Sequence, residues 1–399
     1  MTKIILKKGR EESLKRFHPW VFSGAIAQVV GNPSEGDVVG VFSHEGEFLA
    51  HGHYQIGSIA VRVLTFGGED VMSPDFWKNM ISRALKVRTA AGLAAEGGKT
   101  NCFRLVHGEG DCLPGLVIDF YDGVCVLQAH SAGMFRSKSE ICEALKAVFG
   151  DRLKAVYDKS SGTAPFKAGL DLVDGYLYKA PSFSDDEQVV LESGNKYFVN
   201  WTEGQKTGFF LDQRENRSLV GRYSSGRNVL NLFCYTGGFS VSALSGGAVH
   251  VDSVDSSAKA IAMVSRNMSL NGYDDSVHSE ICADAIEWLR NVPEDKYDLI
   301  IVDPPAFAKH RGALGNALRA YQRLNASAIS KVASGGLVFT FSCSQVVDKE
   351  AFALAVFSAA AATGRQVRIL DRLNQPADHA VNIYHPEGEY LKGLLLYVE

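Results

Sequence analysis

Beyond about residue 191, apolar positions come in short runs separated by longer amphipathic segments. The runs predict strands at 228–232, 249–254, 277–282, 297–302, 336–341, 367–372 and 391–398. Helical periodicity predicts helices between them, near 238–246, 256–271, 284–291, 315–333 and 348–362. Strand–helix alternation of this kind specifies an α/β fold with a largely parallel, doubly wound sheet. No helical segment separates the sixth run from the last, which predicts an antiparallel final strand. That strand is so apolar (Leu394-Leu-Leu-Tyr-Val398) that it fits either the sheet interior or a dimer seam. Upstream the pattern differs. Residues 1–68 carry β-rich runs at 37–43 and 59–64 with glycines at the turns, and predict a small β domain. Residues 69–190 read as a separate α/β domain, opened by a helix at 74–92 whose face is Phe76, Met80, Leu85 and Val87, and followed by strands near 103–107, 116–120 and 123–129 and a helix near 135–148.

The chain has 399 residues, 46% hydrophobic and 22% charged, which describes an ordered protein of two or three domains. No apolar run approaches the ~20 residues that span a bilayer. The first residues turn basic too soon for a signal peptide, so a cytoplasmic protein is expected. Seven scattered cysteines show no C-x-x-C spacing and suggest neither a metal site nor a disulfide framework. A net charge of −4 does not advertise a nucleic-acid binder, but the local distribution does. Residues 1–17 hold Lys3, Lys7, Lys8, Arg10, Lys15 and Arg16 against Glu11 and Glu12. From Pro304 to Val347 stand Lys309, Arg311, Arg319, Arg323 and Lys331 with no acid at all, a region able to guide a polyanion or simply a solvated helix face. Aromatics in His18-Pro-Trp-Val-Phe22 lie beside the basic arm; for any one of them, core packing is the simpler role.

Chemistry enters at the carboxyl ends of the strands, where open α/β sheets bind ligands. Phe233, Cys234, Tyr235, Thr236 and Gly237-Gly238 follow the first strand, Asp255 ends the second, Asp284 the third and Asp303-Pro-Pro305 the fourth. A dinucleotide site would need G-x-G-x-x-G, which is missing. A Gly-Gly turn, an acid after each of strands two and three, then Asp-Pro-Pro resembles the class I S-adenosylmethionine methyltransferases. Asp212 and Arg214, in a helix over 211–223 that leads into the sheet, are further candidate cofactor contacts.

After the fifth strand comes Ser342-Cys343-Ser344. Pyrimidine C5 is not nucleophilic, and a thiolate adding to C6 makes it so. Cys343 fits that nucleophile. Asp303 fits the group that steadies N3 and the exocyclic position as charge develops. Asp303, a water or His379 could take the C5 proton. Cys234 suits cofactor binding better than attack. In amino-methyltransferases an (Asn/Asp)-Pro-Pro-aromatic loop grips an exocyclic amine, but here Ala306 occupies the aromatic position and Cys343 would be idle.

The whole chain resembles the bacterial 23S rRNA cytosine-C5 methyltransferases of the RlmI type. The matching stretches are His18 to Gly24, Gly115 to Asp119, Thr207 to Arg214, Tyr235 to Phe239, Asp303 to Pro305, Phe341 to Ser344 and Pro386 to Gly393. The resemblance implies a PUA RNA-binding module at 1–68, a central α/β domain at 69–190 that positions substrate, and a methyltransferase domain at 191–399. It also implies S-adenosylmethionine as donor, Cys343 as nucleophile and rRNA as partner. Methylation of uridine C5 by the same thiol step, and an RNA-binding assembly factor without turnover, are the alternatives.

Overall fold

The computed structural model describes residues 2–95, 97–165, 168–184 and 187–399. The chain forms two compact units. The first comprises 1–190, 199–211 and 377–388; the second comprises 191–198, 212–376 and 389–399.

The first unit holds two sheets. One has six strands in the order Trp20–Phe22, Ile59–Phe66, Phe48–Tyr54, Val38–Phe42, Lys3–Leu6, Ile26–Val30, around a core of Ile4, Leu6, Val39, Val41, Val61 and Val63. Its edge leaves Phe22 48% exposed and nearby Phe17 46% exposed, so core packing is wrong for Phe22. The other sheet has five strands in the order Gly175–Lys179, Ala155–Asp158, Val124–Ala129, Leu116–Tyr121, Cys102–His107. Helix Phe76–Ala90 packs on it through Phe76, Met80, Ile81 and Ala84. Val87, expected on that face, is exposed, and Arg88 is buried in its place. The reason is polar: Arg88 forms a bidentate pair with Asp111 and also donates to the backbone oxygens of Arg104 and Asp378. A buried guanidinium is tolerated where its donors are satisfied, so an i, i+4 row can end on arginine.

The second unit is built on a seven-stranded sheet: β1 (Asn228–Leu232), β2 (His250–Asp255), β3 (His278–Cys282), β4 (Tyr297–Val302), β5 (Val332–Ser342), β6 (Val367–Asn374) and β7 (Lys392–Val398). Their spatial order is 3-2-1-4-5-7-6. The first five are parallel, and β7 runs antiparallel to both β5 and β6. The apolar final strand therefore lies inside the sheet, and β6 forms the edge with most of its residues exposed. Six helices cover the sheet: α1 (Arg214–Tyr223), α2 (Gly238–Ser245), α3 (Ala258–Leu270), α4 (Ala285–Asn291), α5 (Leu314–Lys331) and α6 (Lys349–Thr363). Alternating crossovers put helices on both faces and bury the strands as continuous apolar runs, as β4 (Leu299-Ile-Ile-Val302) and β7 show. No helix among the described residues is long and apolar enough to cross a membrane.

Candidate active site

β1 ends in a turn with an unusual backbone. Phe233 (φ 58°) and Tyr235 (φ 47°) adopt the left-handed region that non-glycine residues avoid, and Gly237 follows at φ 80°. Such strain persists only where the surroundings impose it, and it gathers at ligand sites. The imposing contacts are visible: Asp255 Oδ2 accepts from the Tyr235 amide (3.0 Å), and Asn267 Nδ2 donates to the Thr236 carbonyl (2.8 Å). A Cβ on Gly237 would sit 3.1 Å from Val264, so the turn lies tight against α3. α2 begins at Gly238 with no side-chain cap, which leaves its first amides to another acceptor.

The remaining strand ends complete a row. Asp255, at the end of β2, is half-buried; its Oδ1 accepts from the Ser257 amide. Asp284 follows β3, is exposed, and caps α4 by accepting from the amides of Ile286 and Glu287 through Oδ1. Each carboxylate oxygen has two lone-pair directions, so both acids retain acceptor capacity for hydroxyl or amine donors. Thr236 and Gly237 are buried, and Phe233 is half-buried. This donor set suits S-adenosylmethionine: ribose hydroxyls and an adenine amine need acceptors, and the methionine carboxylate needs helix-terminal amides.

Asp212 and Arg214, in the segment entering α1, are both buried. Asp212 Oδ2 accepts from the Tyr390 hydroxyl at 2.7 Å. The Arg214 guanidinium lies 3.8 Å from Glu192, which forms a bidentate pair with Arg217 (2.6 and 2.7 Å). Burial works against the charge on Arg217, and Glu192 more than restores it, so its pKa is raised. These ion pairs lie in the interior. Glu192→Gln removes the carboxylate that forms the bidentate pair with the buried Arg217 guanidinium, and the expected loss is about 3–5 kcal/mol of stability, read from the shift of the urea midpoint.

Asp303 and Cys343 leave the same end of adjacent strands: β4 and β5 are parallel neighbours with Val302 opposite Thr340. Both side chains are half-buried rather than sealed in the core. The buried Tyr321 hydroxyl lies beside this strand end. Burial pushes this phenol up to about 12, and the charges of Cys343 and Asp303 both add to the rise. Tyr321 accepts from Ser342 Oγ (2.9 Å), while Ser344 Oγ donates to the Ala308 carbonyl (2.6 Å), so the two loops are laced together on both sides of Cys343. Gln213 Nε2 donates to Asp303 Oδ2 (3.0 Å) and is itself held by Asn216 (2.6 Å).

None of the seven cysteines forms a disulfide. Cys234 is buried, and its thiol is pushed well up by that burial, which unfits it for attack. His379 belongs to the first unit, where it is buried beside Asp378 (3.1 Å) and packs against His107. Gln213 and Tyr321 were not foreseen as site residues; only the three-dimensional pairing of their elements reveals them. Lys392 was also missed, though it carried a signal: a lysine heading an otherwise apolar strand.

A PUA-like domain model matches residues 4–66, and an S-adenosylmethionine-dependent methyltransferase model matches residues 103–382. The Ribosomal RNA large subunit methyltransferase I of Aeromonas hydrophila is 40% identical over 98% of each chain, and the protein of the same name from Klebsiella pneumoniae is 38% identical over 98% of this chain and 97% of its own. Among solved structures, the methyltransferase SMU.776 complexed with SAH is 24% identical with a TM-score of 0.84, covering 100% of both chains.

Proposed function

We propose, from the premise that the chain belongs to the S-adenosylmethionine-dependent methyltransferase family, that it methylates C5 of a cytidine in large-subunit (23S) ribosomal RNA through a Cys343 adduct. The observation that carries this reading is the delivery of a thiol and a carboxyl by neighbouring parallel strands to one end of the sheet.

The cofactor supplies an electrophilic sulfonium methyl. Gly237, Asp255, Asp284 and the strained turn at Phe233 to Thr236 would hold it, with Asp212 and Arg214 supporting from the α1 entrance. The Cys343 sulfur adds to C6 of the base, which moves electron density to C5. Asp303 would hydrogen-bond the N3 and exocyclic-amine edge, where charge develops; Gln213, held by Asn216, donates to its Oδ2 and orients it. After transfer, loss of the C5 proton to Asp303 or a water expels the sulfur and restores aromaticity.

RNA is the partner this surface chemistry favours. Lys309, Arg311, Arg319 and Arg323 are exposed, and none forms an ion pair with an acid among the described residues. In the first unit, exposed Phe17 and Phe22 stand among exposed Lys7, Lys8, Arg10, Lys15 and Arg16, a combination that stacks bases and neutralises phosphates; residues 1–68 take that role and 69–190 position the substrate. Arg319 and Arg323 lie one turn apart on α5. Replacing both by alanine is expected to raise KM for RNA about tenfold and to flatten the salt dependence of binding by about 1.4–1.8 in log–log slope, with kcat unchanged.

The deciding experiment incubates the enzyme with a labelled methyl donor and rRNA from cells lacking it, then maps the labelled nucleoside. 5-Methylcytidine is the expected product. 5-Methyluridine would move the assignment to the uracil reading, and an N-methylated base would remove the thiol step altogether.

A further inference from the structure

Lys392 is 6% exposed at the head of β7, an odd place for an ammonium: Leu391 precedes it, and Gly393-Leu-Leu-Leu396 follows, all buried. In the antiparallel ladder it stands opposite Ser342, the residue before Cys343. Its Nζ donates to the carbonyls of Ser344 and Val347, both at 2.6 Å. The lysine thus grips the loop immediately after the candidate nucleophile at two points. An ammonium has three N–H donors, so two backbone carbonyls do not exhaust it.

Its electrostatic surroundings point the same way. Burial lowers its pKa to about 8, and the foremost opposing influence is Cys343. Asp348 and Glu389 also favour its charge, Lys349 opposes it, and Lys349 is paired with Glu389. Burying a cation here costs stability that a methionine or leucine would spare. If the task were only to pack the strand head, an apolar residue would serve. What a cation adds is attraction for a negative sulfur.

We propose that Lys392 is a positioning residue for methyl transfer: it pins the Cys343 loop through the Ser344 and Val347 carbonyls and supplies the positive charge that holds Cys343 as a thiolate. The inference rests on the reading of Cys343 as nucleophile. The thiol proton leaves to solvent, the ammonium keeps its own, and the resulting ion pair is what adds to C6. The rate should therefore rise as the thiol ionises and fall again above about pH 8 as Lys392 loses its proton, the two groups titrating as a coupled pair.

The first readout needs neither RNA nor donor. Iodoacetamide alkylation of Cys343 is followed against pH by peptide mass mapping in the wild-type chain, Lys392→Met and Lys392→Arg. Wild-type Cys343 should titrate below the ordinary thiol value of about 8.5. Lys392→Met should slow its alkylation at pH 7 about tenfold and lower kcat to match, with KM for RNA and donor affinity unchanged, and Lys392→Arg should recover part of both. A wild-type Cys343 that titrates at or above the ordinary value overturns the proposal, and this holds even if Lys392→Met does not fold. So does a Lys392→Met profile that overlays the wild type. If alkylation behaves as expected while Cys343→Ala still methylates RNA, the nucleophile reading falls and the thiolate-stabilising role stands. An inactive Cys343→Ala alongside unchanged alkylation gives the reverse.

Discussion

Cys343→Ala should lose methyl transfer by at least about 10⁴-fold in kcat while binding S-adenosylmethionine as the wild type does. The size follows from the chemistry: without sulfur at C6, C5 of the pyrimidine has no electron density to offer, and no neighbouring group compensates. Retention of cofactor follows from the architecture, because the groups assigned to the donor sit at the ends of β1 to β4 and at the entrance to α1, and residue 343 follows β5. Cys343 is half-buried in a loop held by Ser342, Ser344 and Lys392, so loss of one sulfur atom should cost well under ~1 kcal/mol of stability. Single-turnover methylation and calorimetric titration of donor separate the two effects. Residual turnover within tenfold of wild type would be incompatible with a covalent route.

Asp303→Asn is the second large effect, and it isolates a different step. Asparagine keeps the shape, and its carbonyl oxygen can still accept from Gln213. What disappears is a group that can carry or take up a proton at the N3 edge. Positioned acid–base groups contribute about 10²–10⁴-fold, so a single-turnover rate at saturating donor lower by that factor is expected, with Cys343 alkylation near wild type. A variant within threefold of wild type would reduce Asp303 to a structural cap on the Pro304-Pro305 turn.

The parallel sheet was readable because buried parallel strands are continuous apolar runs and the helices between them keep a 3.6-residue period. β1, β4 and the row of acids at the strand ends needed little beyond that alternation. Pattern failed where a polar pair overrode it. Arg88 occupies a core position because Asp111 lies opposite it, and nothing local to Phe76–Ala90 announces a partner 23 residues away. Phe22 failed for the opposite reason: it sits in an edge strand, and periodicity alone does not separate edge from centre. Whether Leu394 to Val398 lay inside the sheet or at a seam depended on strand order, which emerges only when β7 inserts between β5 and β6. Cys343, the proposed nucleophile, was legible from its place after an apolar strand. Its neighbours Tyr321 and Lys392 lie 22 and 49 residues away, and reach it only when α5 packs on the sheet and β7 pairs with β5.

The most direct measurement uses 23S rRNA transcribed with 5-fluorocytidine in place of cytidine, incubated with enzyme and S-adenosylmethionine. After transfer, C5 would carry fluorine and methyl with no proton to lose, so the sulfur could not leave. A denaturation-resistant protein–RNA adduct that forms only with donor present, and maps by mass spectrometry to Cys343, is the predicted result. Methylation without any adduct, or an adduct at another residue, would contradict attack by Cys343 on cytosine C6.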